Sequence, residues 1–188
     1  MPTFRLVPTS REFRIAVVLL MLAPLAGCAQ FDGRRAPKLT EDGRSTAGIY
    51  TVTAANVDPI RQRAAETLNV RRARSGLAPV QMDPRLNAAA GEQSGAMMAQ
   101  GRAWPFGPNG ETPPQRARLA GFPGRVIGEV VSETYESEVL AIDAWMSDPA
   151  QRAILMDPDA RAMGLGVAQD ASLKKWWTLT VAAHPDLS

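Results

Sequence analysis

Cysteine occurs once in the 188 residues, at Cys28, and histidine occurs once, at His184. A single cysteine excludes an intramolecular disulfide. A single histidine excludes a two-histidine zinc site. His184 stands just before Pro185, so a histidine-based nucleophilic mechanism would need that tail to fold back into a cleft. No G-x-S-x-G elbow and no acidic calcium loop is present. Gly164-Leu165-Gly166 lacks the third glycine of a dinucleotide loop and reads instead as close packing within a hairpin. No segment recurs at a period of twenty to fifty residues, which excludes a solenoid or propeller. The chain also has little net charge, +2. Residues 1–27 hold three of its 21 basic residues (Arg5, Arg11, Arg14) and one of its 19 acids (Glu12), leaving 18 of each. A neutral remainder gives no electrostatic reason to bind nucleic acid. Arg71, Arg72 and Arg74 do cluster, and at helical spacing they read as a solvated helix face.

The full chain, 45% hydrophobic and 21% charged, suits one globular domain with a core that holds without covalent staples. The longest apolar run, Ile15–Leu25, is too short to cross a bilayer comfortably and contains Pro24. Preceded by three arginines, it has the layout of a secretory signal peptide. Leu25-Ala26-Gly27-Cys28 follows and resembles the bacterial lipobox, so Cys28 is expected to carry a diacylglycerol and become the new N-terminus. Acylation with more than one chain holds a protein stably at a membrane. Ala29 rather than aspartate follows the cysteine, which points to the outer membrane and a periplasm-facing protein. The expected organisation is a signal peptide over residues 1–27, a lipid-anchored flexible tether over 28–55 and a folded domain over 56–188. Ile49–Val52 offers an alternative to a free tether, an arm docked on the body.

Asp58-Pro59 is predicted to open a first helix that ends at Gly76 and Pro79, with Ile60, Ala64 and Leu68 on one face. Asp83-Pro84 repeats the device, and Leu86, Ala89, Ala90, Gln93 and Met97 form the second stripe. A loop over 101–111 precedes a short helix begun by Thr112-Pro113. Arg125–Thr134 reads as a strand, Glu138–Ser147 as a helix, and Asp148-Pro149 as the start of another. Met163-Leu165-Val167 and Trp177-Leu179-Val181 alternate as two strands of a hairpin. Helices first and strands last predict an α+β domain with antiparallel pairing.

Glu129 is the most informative polar residue. In an unbroken strand it shares a face with Ile127 and Val131, while Val126, Gly128 and Val130 point the other way. Both faces are apolar, so the carboxylate is expected to be at least half buried. A buried carboxylate needs a partner. Either it bridges a backbone amide or an arginine and orders the core, or it lines a cleft. Asp148 is first a helix N-cap, with Gln151 and Arg152 on the same first turn. Of Trp104, Trp145, Trp176 and Trp177, most are expected in the core.

Several blocks resemble the CAP superfamily (cysteine-rich secretory proteins, antigen 5 and plant pathogenesis-related proteins), and its bacterial SCP-like branch most. They are Leu68-Asn69 through Gly76-Leu77-Ala78-Pro79, Asp83-Pro84-Arg85-Leu86, Gly107-Pro108-Asn109-Gly110 with Arg116, Ile127-Gly128-Glu129, Trp145–Pro149 with Gln151–Leu155, and Met163–Val167 with Trp176-Trp177-Thr178. Together they cover roughly residues 60–183, in the family's order. The resemblance implies a three-layer α–β–α sandwich with a central antiparallel sheet. It also implies a cleft where many members hold two histidines and two acids, sometimes with a metal. Here the histidine places fall at Pro105 and Gln151, while Glu129 and Asp148 stand at the acid places. Without imidazole, zinc should bind poorly, and neither a metal nor another cofactor is expected. The reading is therefore a non-catalytic envelope lipoprotein that binds a lipid, a cell-wall fragment or an envelope protein through a cleft of Glu129, Asp148, Gln151, Arg116 and Pro105. The alternative is an envelope hydrolase with Glu129 or Asp148 as general base.

Overall fold

A computed structural model describes residues 50–187. The signal segment, Cys28 and the tether up to residue 49 lie outside the described residues. In chain order the elements are α1 (Val57–Arg74), β1 (Gln81–Met82), α2 (Pro84–Gln100), α3 (Pro113–Leu119), β2 (Arg125–Glu133), α4 (Glu138–Ser147), α5 (Pro149–Leu155), β3 (Ala162–Gln169) and β4 (Lys175–Ala183). Side-chain caps start three of the helices. Asp83 accepts from the amides of Arg85 and Leu86, Ser137 from Leu140, and Asp148 from Ala150 and Gln151. Gln115 closes a capping box on Thr112. The first helix begins two residues earlier than expected. Asn56, not Asp58, stands at its N-cap position, and Asp58 instead accepts from Arg61 Nη1 at 2.8 Å within the first turn.

The four strands lie in the order β1-β3-β4-β2. The β3–β4 hairpin is antiparallel with Leu165 opposite Leu179, and β2 runs antiparallel to the other side of β4. The two residues of β1 pair parallel to β3, so the sheet is mixed rather than wholly antiparallel. A two-residue strand carries no periodic signal. It forms because the amides of Gln81 and Asp83 reach the carbonyls of Arg161 and Met163 at 2.8 and 2.9 Å.

Helices cover both faces. On one, Ile60, Ala64 and Leu68 of α1, Ile142 and Trp145 of α4 and Leu155 of α5 pack on Met163, Leu165, Trp177, Leu179 and Val181. On the other, Leu86 of α2, Ala117 of α3 and Phe122 pack on Ala162, Ala182 and Val126. Trp145, Trp176 and Trp177 are buried, and Trp104 is exposed. Strand β2 is not phased as an unbroken strand would be. A bulge between Val126 and Gly128 puts Ile127 and Gly128 together on the α1/α4/α5 side, and Val126 turns to the same side as Glu129.

Arg72 is not on a solvated face. It is fully buried. Its guanidinium donates to the carbonyls of Ala78 (2.9 Å), Leu155 (2.9 Å), Asp157 (3.1 Å) and Ala160 (3.1 Å). It thereby joins the end of α1 to the turn that follows it and to the α5–β3 connection. Burial, and then the nearby Arg161, lower its pKa. The chain is also ordered before residue 56. Tyr50 is buried, its hydroxyl donates to the fully buried Glu138 carboxylate, and Arg63 donates to both at 2.8 and 2.9 Å. Val52 N donates to Gln169 Oε1 at 2.6 Å. The docked arm therefore begins at least six residues inside the expected tether. Burial and Glu138 push the Tyr50 hydroxyl well above its ordinary range.

The glycines of β3 face α2, not the hairpin partner. A Cβ at Gly164 would stand 2.2 Å from the Leu86 carbonyl carbon, and one at Gly166 would stand 2.0 Å from Ala90 O. Backbone cannot retreat cheaply, so Gly166→Ala is expected to cost about 3 kcal/mol, at the upper end for overpacking. Gly95, inside α2 with nothing near its missing Cβ, provides the contrast. Gly95→Ala is expected to stabilise by about 0.5–1 kcal/mol through helix propensity. Denaturant unfolding of the two variants checks both signs.

Candidate functional site

The site grows from three neighbouring elements on the α2/α3 side of the sheet. Strand β2 supplies Glu129, opposite Thr180 of β4. Helix α3 supplies Arg116, one turn after the capping box that sets its start. Helix α2 supplies Gln93 and Ser94, which its apolar stripe turns toward the sheet. Arg116 Nη2 donates to Glu129 Oε1 at 2.6 Å, and Thr180 Oγ1 donates to Oε2 at 2.8 Å. The side chains of Arg116 and Glu129 are each only 2% exposed. Arg116 Nη1 also donates to Glu111 O at 2.6 Å and Nη2 to Pro105 O at 3.3 Å. Beside them Ser94 donates to Thr178 Oγ1 at 2.9 Å.

Glu129 therefore bridges an arginine and orders the interior, one of the two roles the sequence left open. Burial pushes its carboxyl above the ordinary value, against the opposing pull of Arg116 and the Thr180 hydroxyl. Both oxygens are engaged and the side chain is all but sealed from solvent, so neither is presented to a substrate. Nor does the cluster fit a metal ion. The guanidinium already lies against the carboxylate as its positive partner and would repel a cation, and Pro105 offers only a carbonyl that Arg116 takes. His184 meets other groups. Its ring stands against Phe122 at 5.6 Å between centroids, and Nδ1 accepts from Asp186 N at 3.1 Å.

Of the residues expected to line one cleft, the structure brings together Glu129, Arg116 and Pro105. It does not bring Asp148 and Gln151 to them. Asp148 caps α5, a helix that packs with Ile154 and Leu155 on the opposite face of the sheet. Gln151 follows on its first turn. Side chains on two sides of a sheet cannot act as a carboxylate pair, so the Glu129/Asp148 hydrolase arrangement is not formed. The groove near α5, about 470 Å³, is lined by Ser75, Leu77, Pro149, Arg152, Ala153 and Met156.

Two features went unread in the sequence. Gln93 is fully buried. Its Nε2 donates to Trp104 O and, at 3.4 Å, to Phe106 O. A lone amide within an apolar stripe was the available signal. The loop it holds displays Trp104 and Phe106 with their rings 5.6 Å apart and each residue 40% exposed.

The cysteine-rich secretory protein family, CAP, matches residues 65–181. The uncharacterized protein YkwD of Bacillus subtilis (strain 168) is 23% identical over 153 residues, 81% of this chain and 57% of that protein. The chain thus spans a little over half of that relative's length. An extracellular protein with an SCP domain from Bacillus anthracis superposes with a TM-score of 0.63 at 18% identity, over 71% of this chain and 44% of that one. An outer surface protein of Borrelia burgdorferi superposes at 0.58 and 17% identity, over 71% and 96%. These structures share the fold.

Because Glu129 titrates above its ordinary value of 4.5, the folded chain retains a proton there that the unfolded chain releases. The contribution is full below pH 4.5 and is lost as pH rises through the raised value. The stability of the parent protein is thus expected to decline relative to Glu129→Gln as pH climbs through that window. Urea unfolding from pH 4 upward measures it, and parallel curves would show that Arg116 and Thr180 fully offset the burial.

Proposed function

This chain belongs to the cysteine-rich secretory protein (CAP) family, and from that premise we propose that it is a non-catalytic lipoprotein of the bacterial cell envelope. Cys28 carries the lipid, and the body binds an envelope lipid, a cell-wall fragment or an envelope protein on the side roofed by the 101–111 loop. The observation that carries the reading is the sealed Glu129. Its carboxylate is held by Arg116 and Thr180, both from inside the fold, with no imidazole beside it. A group so placed supports a surface and does not do chemistry on it.

Location rests on the signal segment and the Leu25–Cys28 lipobox. It is supported by the company the fold keeps, since one structural neighbour is described as extracellular and another as an outer surface protein. Membrane attachment through acyl chains leaves the folded body in water, where a neutral surface neither seeks nor avoids an anionic bilayer by charge alone.

Two measurements test the proposal. Cells fed an alkyne-tagged fatty acid are expected to label the protein at Cys28, and Cys28→Ala is expected to lose the label entirely. Label retained by the variant rules out the anchor. Purified protein is expected to turn over no ester, peptide or glycan substrate. A turnover found in the parent and abolished in Glu129→Gln would restore the hydrolase.

A further inference from the structure

The loop that roofs the buried cluster is built inside out. The carbonyls of three successive residues point inward and are held from beneath, those of Trp104 and Phe106 by Gln93 Nε2 and that of Pro105 by Arg116 Nη2. Both donors belong to buried residues. The next turn is closed by Gly107 N donating to Glu111 O at 2.9 Å and Gly110 N donating to Gly107 O at 3.0 Å. With its backbone polarity spent on the interior, the loop presents Trp104, Pro105 and Phe106 to solvent, with the Arg102 guanidinium 4.6 Å over the Trp104 ring. Large apolar groups exposed singly elsewhere, such as Leu119 and Val70, need no explanation. Two adjacent aromatic rings and a cation on one fixed loop do.

We propose that this loop docks into the headgroup region of the bilayer to which the chain is anchored. The inference rests on the lipid-anchor reading above. Trp is suited to a membrane surface because its ring is apolar and its N–H wet, and aromatic side chains concentrate at that depth. Arg102 complements lipid phosphate. Glycan recognition is disfavoured by the same geometry. A sugar needs hydrogen-bonding groups around its stacking plane, and here the loop carbonyls, Gln93 and Arg116 are turned away from solvent. The length of chain before the described body adds to the case. Residues 29–49 reach roughly 70 Å at full extension, more than the ~40 Å width expected of a body this size. A connection of that contour length does not by itself dictate which face meets the membrane, so surface chemistry selects it. A loop already fixed in its exposed conformation loses little further freedom on docking.

The mature, lipidated protein in vesicles of phosphatidylglycerol and phosphatidylcholine is the test, with bromine on the acyl chains of the phosphatidylcholine near the headgroups. Trp145, Trp176 and Trp177 are at most 2% exposed, so quenching by the brominated lipid reports Trp104. The expected result is flotation with the vesicles and a loss of tryptophan emission that disappears in Trp104→Phe and weakens in Arg102→Glu. Unchanged circular dichroism and Tm in both variants show that the fold is kept. A protein that floats but is not quenched overturns the loop assignment while leaving the anchor standing. A protein that does not float overturns both. Emission that shifts with soluble cell-wall glycan fragments and not with vesicles overturns the membrane assignment in favour of a sugar.

Discussion

Helix α2 lies against β3 with no side chain between the two backbones at Gly164 and Gly166, and the polar groups on that side of the sheet take their positions from this contact. At that separation short side chains can reach across. Asn87 Oδ1 accepts from Leu165 N at 2.9 Å, and Ser94 meets Thr178. Beyond the two residues of β1, the outer edge of β3 would present unpaired groups. Asn87 takes the amide of Leu165, and Arg61 Nε donates to its carbonyl at 3.1 Å from α1. Helices on opposite faces thus close one edge that would otherwise invite pairing with another chain. Nearly two turns beyond Asn87 along α2, the same seating delivers Gln93 beneath the 101–111 loop.

The fold uses buried guanidinium groups where many exported proteins of this size use disulfides. Arg72 gathers four carbonyls from two connections, and Arg116 gathers the Glu129 carboxylate with two loop carbonyls. The two differ in kind. Arg116 has a carboxylate, so removal of either partner would strand the other, a change that commonly costs about 3–5 kcal/mol. Arg72 hydrogen-bonds no carboxylate, and its charge is met by carbonyl dipoles near the end of α5, where a helix carries partial negative charge, and by the nearby charge of Asp157. Its planar fork reaches several acceptors at once, which an ammonium cannot match.

Much of the architecture was legible in one dimension. Asp-Pro and Thr-Pro pairs placed the starts of α2, α3 and α5 because caps act within three residues, and alternation placed β3 and β4 because the period of a strand is local. Glu129 was legible as a buried acid needing a partner, and Arg116 and Pro105 as its companions through family order. What failed depends on parity or on distance. The bulge at Ile127 exchanged the faces of β2, which no count of apolar residues on two apolar faces can register. Arg72 reads like its neighbours Arg71 and Arg74 until the connections that surround it are folded. Asp148 and Gln151 belong to the same family pattern as Glu129, yet α5 carries them to the far layer.

That one surplus residue in β2 divides the strand into two segments of opposite phase. Val126 serves the smaller core under α2 and α3, Ile127 and Gly128 face the larger core, and Glu129 returns to the side of α2 and Thr180. In a regular strand that kept Val126 in place, the position after Gly128 would meet Ile154 and Leu155, an oily environment without a cation. At this residue count the acid and its arginine therefore meet because Ile127 is bulged out of the pairing. A related chain with the same residue count that paired here as a regular strand would carry the same motif letters and yet aim them into a different half of the molecule.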